Sequence, residues 1–146
     1  MTRLTTTAVL LLAILALVGC GASGPTAQRR DANRLATEGE AKLSDGDAAG
    51  AAADLGAALE QGGLNPDIYE QTITLRAIAL AQTGEIDQAL ASLEPVIEQG
   101  SAVDVALAAK AYVLQKKGDT AGAKQAFAQA RRLNRTVKPF TDRPNL

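Results

Sequence analysis

Residues 84–118 read GEIDQALASLEPVIEQGSAVDVALAAKAYVLQKKG, and the two ends of this stretch decide the fold. Gly84-Glu85 and Gly118-Asp119 stand 34 residues apart, and Gly46-Asp47 precedes the first pair by 38. Small or apolar residues recur at fixed offsets from each glycine. Seven residues before lie Gly39, Ala77 and Ala111, and five after lie Ala51, Ala89 and Ala123. Nine after come Leu55, Leu93 and Phe127, and twelve after come Ala58, Val96 and Ala130. A period near 34 with small residues at the crossing points predicts stacked helical hairpins.

Around that stretch, spacing predicts six helices. Leu35, Gly39 and Leu43 share one face of the first, and Ala51, Leu55, Ala58 and Leu59 mark the second. Gly62-Gly63-Leu64-Asn65-Pro66 separates the second helix from the third. Asn65 is placed to cap the third, with Pro66 in its first turn. Ile73, Ala77 and Leu80 mark the third helix, and Ile86, Ala89, Leu90 and Leu93 the fourth. Pro95 predicts a kink or an early end near Glu94, because proline removes a donor and crowds the preceding turn. Leu107, Ala111 and Leu114 mark the fifth helix, and Ala123, Phe127 and Ala130 the sixth. The proline-containing end, from Asn134, reads as an extended tail whose Phe140 is able to fold back onto the array.

Composition narrows the chemistry. The 146 residues contain no His and one Cys, which excludes a His-dependent triad and metal sites built on His or several Cys. There is no Gly-rich phosphate loop and no acidic cluster with metal spacing, so neither an enzyme nor a cofactor is expected. Aromatic residues make up 3% of the chain, and alanine supplies much of its apolar content. Small side chains permit close helix contact but each buries little area, which favours a thin two-layer array. Charge is uneven. Residues 31–103 hold 13 acidic and 3 basic side chains, whereas residues 104–146 hold 3 acidic and 9 basic. Such poles steer a charged partner or favour head-to-tail self-association.

The beginning of the chain reads as a targeting segment. Arg3 precedes an apolar run from Ala8 to Val18. Eleven residues span about 16 Å as a helix, well short of a bilayer core of about 30 Å. A basic start, an apolar middle and a small-residue exit predict a secretory signal peptide. Leu17-Val18-Gly19-Cys20 resembles the lipobox of bacterial lipoproteins. That resemblance implies a signal peptide over residues 1–19 and lipidation of Cys20, with a palmitoyl-type chain among those attached. Two or more chains hold a protein stably to a membrane, where one holds it marginally. Gly21 follows the Cys in place of the Asp that resembles an inner-membrane retention signal, which implies the outer membrane in a Gram-negative host. Residues 20–30 would then be the lipidated Cys and a flexible tether reaching at most about 35 Å.

The hairpins resemble tetratricopeptide repeats over Ala32 to Val137, with units starting near Ala32, Glu70 and Asp104. In the family, the first helix of each unit carries a large residue, a small one at the crossing point, and another large one. Here those positions hold Leu35, Gly39 and Lys42, then Ile73, Ala77 and Leu80, then Leu107, Ala111 and Leu114. Lys42 stands where the family prefers an aromatic, so the first unit is degenerate. The resemblance implies an all-α fold, a short right-handed α-solenoid of three hairpins over residues 31–137, followed by an extended tail over 138–146. It also implies a concave groove lined by the first helix of each unit. Asn33, Ala36, Thr37, Glu40 and Leu43 would line it, then Gln71, Thr74, Leu75, Ile78 and Gln82. Val105, Ala108, Ala109, Tyr112, Gln115 and Lys116 would complete it.

Leu43, Leu75, Ile78, Tyr112, Gln115 and Lys116 are the expected partner contacts, with Tyr112 foremost because aromatics concentrate binding energy. Ala36 and Glu40 occupy positions where carboxylate-clamping arrays carry Lys and Asn, which sets that subclass aside. Together these features imply an envelope scaffold that binds another envelope protein, with no nucleic-acid partner. Small tetratricopeptide lipoproteins of this kind resemble the pilotins and Flp-type pilus assembly lipoproteins. The alternatives are a self-associating structural protein on the membrane and a regulator of a cell-wall enzyme. Cys20→Ser is expected to move the protein from the membrane fraction to the soluble fraction after cell lysis; unchanged membrane retention would rule out the lipid anchor.

Overall fold

A computed structural model describes residues 24–144. Among the described residues there are six helices and no strand: α1 Pro25–Asp45, α2 Ala48–Gln61, α3 Pro66–Thr83, α4 Ile86–Gln99, α5 Val103–Lys117 and α6 Thr120–Leu133. The expected lipidation site Cys20 and the signal segment lie outside the described residues.

The Gly-acid pairs form the turns within the hairpins. Gly46, Gly84 and Gly118 adopt φ of 91°, 92° and 87°, a left-handed conformation that costs an L-residue with a Cβ about 1–2 kcal/mol. In all three turns the amide of the following acid reaches back five residues. Asp47 N–H donates to the Lys42 carbonyl (2.8 Å), Glu85 to Leu80 (2.8 Å) and Asp119 to Leu114 (2.9 Å). Each bond satisfies a carbonyl that the helix end would otherwise leave unpaired. The acids then start the next helix. Asp47 Oδ1 accepts from Gly50 N–H (2.9 Å) and Asp119 Oδ1 from Gly122 N–H (2.8 Å). Glu85 makes no such cap, and its carboxylate accepts from Thr83 Oγ1 instead (3.1 Å).

Each helix packs against the next in the chain. Beyond that, α1 touches α3 and α3 touches α5, whereas the even-numbered helices make no close backbone contact with one another. The odd-numbered helices therefore form one layer and the even-numbered helices lie behind it. Leu43, Leu55, Ile78, Leu93 and Val113 are fully buried between the layers, with Ala51, Ala77, Ala89 and Ala109 filling the space around them. Helices α1 and α2 approach closely at Gly39, where a Cβ would stand 2.6 Å from Leu55 Cγ and 3.1 Å from its backbone nitrogen. Helix α3 lies between neighbours on both sides, so Thr72 and Thr74 are buried with its apolar residues. Their hydroxyls donate back to the carbonyls of Ile68 (2.6 Å) and Glu70 (2.9 Å), which removes the cost of burying them.

Polar side chains fix one hairpin to the next. Glu70 of α3 accepts from the backbone amides of Ser101 and Ala102 (both 2.9 Å) and from Ser101 Oγ (3.0 Å), at the start of α5. Those backbone donors hold its carboxyl below the ordinary range. Asp104, 34 residues later, accepts from Asn134 Nδ2 (2.8 Å) just past α6. Repeat-equivalent acids thus secure successive junctions.

Three local expectations are corrected. Helix α1 begins at Pro25, so residues 25–30 are helical and not part of a flexible tether. Proline at the first helical position is preorganised for the turn, and the Gly24 carbonyl accepts from the amides of Ala27 (2.8 Å) and Gln28 (3.1 Å). Asn65 occupies the cap of α3, but its side chain makes no capping bond. Of the kink or early end expected at Pro95, the early end does not occur, and helix α4 continues through Pro95 to Gln99. Ala91, which would lose its bond, and Pro95 are both exposed, so water is available to the freed carbonyl.

Asp119→Ala is expected to lower stability by about 1 kcal/mol, or about 4 °C in Tm, through loss of the α6 cap. Glu85→Ala should change Tm by less than half that amount. Equal losses in thermal melts would contradict the assignment of capping to Asp119 alone of the two.

Candidate functional site

The inner layer carries the expected groove residues, but in two depths. Leu43 and Ile78 are fully buried, and Ala109 with them, inside the packing between layers. They do not face outward as partner contacts in this conformation. The reason is that each sits where its helix meets two neighbours, so its apolar side chain is consumed by hairpin packing. Asn33, Ala36, Thr37, Glu40, Gln71 and Leu75 come together around a cavity of about 180 Å³ between α1 and α3, with Ala36 and Leu75 buried at its wall. Between α3 and α5, Gln71, Thr74, Leu75 and Val105 line a cavity of about 280 Å³. Ala108, Tyr112 and Gln115 line a third, of about 270 Å³, which faces α6 and Phe127.

Phe140 borders both of the last two cavities. After α6 the chain has no further helix within the described residues, and it returns across α5 to the inner layer. Val137 and Phe140 pack against Leu107, Ala108 and Ala130, and Phe140 also reaches the central core cluster. Two residues on, the Asp142 carboxylate receives two donors at one oxygen. Tyr112 Oη donates at 2.7 Å and Lys116 Nζ lies at 2.7 Å. Gln82 Nε2 donates to the Asp142 backbone carbonyl at 2.9 Å. Tyr112 and Lys116 are four residues apart on α5 and therefore share a face, with the ammonium 5.5 Å from the ring centroid. Pro144 is buried at the end of this path.

Electrostatics at this junction follow from geometry. The Lys116 ammonium, and then the Tyr112 hydroxyl, hold the Asp142 carboxyl below its ordinary range. Burial, and then the bond to Asp142, push the Tyr112 phenol above its own. Asp142 remains 67% exposed, so its pairing with Lys116 contributes only about 0.5 kcal/mol. The less exposed Tyr112 bond to a charged acceptor contributes about 1.5 kcal/mol. Chain reversal also consumes part of the charge asymmetry. Lys110 pairs with Glu94 (2.7 Å) and Lys117 with Asp87 (3.1 Å), so the basic third unit and the acidic second unit meet within one molecule.

The sequence-predicted contacts thus divide. Gln115 and Lys116 are exposed, Leu75 and Tyr112 are buried but border cavities, and Leu43 and Ile78 are fully enclosed. Asp142 was not singled out by sequence reasoning, although it is the only acidic residue after Asp119 and lies among basic ones. Among the described residues no group of three or more His, Cys, Asp or Glu is placed to hold a metal, and no helix is long and apolar enough to cross a membrane. The chain matches no protein-family model, no curated protein and no solved structure.

The pH dependence of tail docking has a definite sign. A depressed carboxyl contributes docking stability that is complete above the unfolded value of about 3.9 and lost as pH falls through the lower folded value. The raised phenol contributes below about 10 and is lost only at still higher pH. The Phe140 ring resonances are therefore expected to stay displaced from random-coil shifts from about pH 5 to 9 and to move toward them below about pH 4. Displacement that grows on acidification would contradict the latch.

Proposed function

We propose that this protein is a membrane-anchored adaptor of the bacterial envelope, held through lipidated Cys20, which grips an extended segment of another envelope protein. In this reading the three hairpins form a short right-handed tetratricopeptide-like solenoid, and its inner layer is the concave face. The order of contacts supports it, because odd-numbered helices meet one another and even-numbered ones do not. The observation that carries the proposal is that an irregular, non-helical segment already lies on this face. Phe140 and Asp142 of the tail are held there by Tyr112, Lys116 and Gln82. A surface that satisfies both the side chain and the backbone of an extended segment is suited to peptide recognition. Leu75, Tyr112, Gln115 and Lys116 are the proposed contacts.

The lipobox resemblance at Leu17 to Cys20 supports an activity at a membrane surface. Assembly of a pilus, secretion or cell-envelope complex at the outer membrane is the role that a small anchored adaptor suits best.

Photo-crosslinking amino acids placed at Gln71 and Gln115, with Glu98 of α4 as the outer control, test this reading in living cells. One envelope protein trapped from both inner positions and not from Glu98 is the expected result. Adducts confined to the protein's own tail would contradict the adaptor function.

A further inference from the structure

We propose that the tail is a stand-in ligand, and that the inner face between α3 and α5 recognises an extended partner segment carrying an aromatic residue followed two positions later by an acid. This deepens the adaptor reading and rests on it. Each element of the motif has its own receptor. The ring of Phe140 sits against the α3–α5 surface, and the Asp142 carboxylate takes the Tyr112 hydroxyl and the Lys116 ammonium. Gln82 reads only a backbone carbonyl, so it fixes the path of the segment without demanding a particular side chain.

The tail is built to be displaced. Phe140 is half-buried and Asp142 is mostly exposed, and residues 138–144 make no helix or strand of their own. Cavities of about 270 and 280 Å³ remain on either side of Phe140. A partner with a bulkier aromatic, or with a second apolar anchor beside it, gains contacts that the tail does not make. That surplus is needed, because a tethered tail competes at an effective concentration in the millimolar range. Charge favours an acid at this one position, because Lys116 is the cation that meets the Asp142 carboxylate.

The test uses the full chain and, as probe, a fluorescein-labelled peptide with the sequence of residues 137–144, followed by anisotropy. In the Phe140→Ala/Asp142→Asn variant the tail no longer competes, so the peptide should bind at least about tenfold more tightly than to the unaltered chain. A probe with Asn in place of its acid, or Ala in place of its aromatic, should lose about tenfold in affinity for the same variant. Adding Tyr112→Phe should shrink the preference for Asp over Asn.

Asp142→Asn alone alters an exposed group and serves as the variant that retains the fold, checked by circular dichroism. It should also bind the peptide more tightly than the unaltered chain. Equal affinity for unaltered and unlatched chains, or equal affinity for acidic and neutral probes, would overturn the proposal. A peptide-sensitive dimer of the unaltered chain in light scattering would overturn it too, since the occupant would then be a second copy's tail. If the peptide binds as expected but inner-face crosslinks find no envelope protein, the adaptor reading fails and the recognition motif stands. The reverse pair of results leaves the adaptor and removes the motif.

Discussion

Everything in this molecule depends on a chain reversal repeated with the same geometry. Three glycines at φ near 90° end the odd-numbered helices, and the amide after each bonds to the carbonyl five residues earlier. Because the three turns share one conformation, each odd-numbered helix leaves its hairpin in an equivalent direction. That equivalence is what lets α1, α3 and α5 lie side by side while α2 and α4 remain apart. A continuous layer of odd-numbered helices is the consequence. A Cβ at any of these positions would put strain into the turn and, through it, into the alignment of the layer.

The same architecture has a weakness. Close packing at Gly39 and at the alanine positions brings helices together but removes little apolar area per residue. Bonds between hairpins, such as Glu70 to the start of α5, help to fix register without adding a large hydrophobic term. Among the described residues no further hairpin covers α5 and α6. Val137 and Phe140 lie against that uncovered flank before the chain reaches the inner face. One segment therefore lies against that flank and against the surface between α3 and α5, and its release would expose both.

Much of this was legible in the sequence because the signals are local. A glycine followed by an acid, with small residues seven before and five after, contains a complete hairpin, and all three appear where the spacing puts them. The start of α1 was misread because Pro25 and the two arginines looked like spacer composition, whereas proline at a first helical position is also a helix start. Ile78 was misplaced for a different reason. Helix α3 is enclosed by neighbours, so apolar residues occur around most of its circumference and periodicity does not separate groove from core. Asp142 was illegible because its partners, Gln82, Tyr112 and Lys116, lie on two helices up to 60 residues away. No short-range pattern encodes that meeting.

The central claim is that the groove of the free protein is occupied by its own tail. Nuclear Overhauser effects between the Phe140 ring and the methyl groups of Leu75 and Val105 test it most directly, since all three line one cavity between α3 and α5. The account predicts these cross-peaks in the monomer at neutral pH. Their absence, with Phe140 resonances at random-coil shifts, would contradict it, because the inner face would then be empty and the tail no model for a ligand.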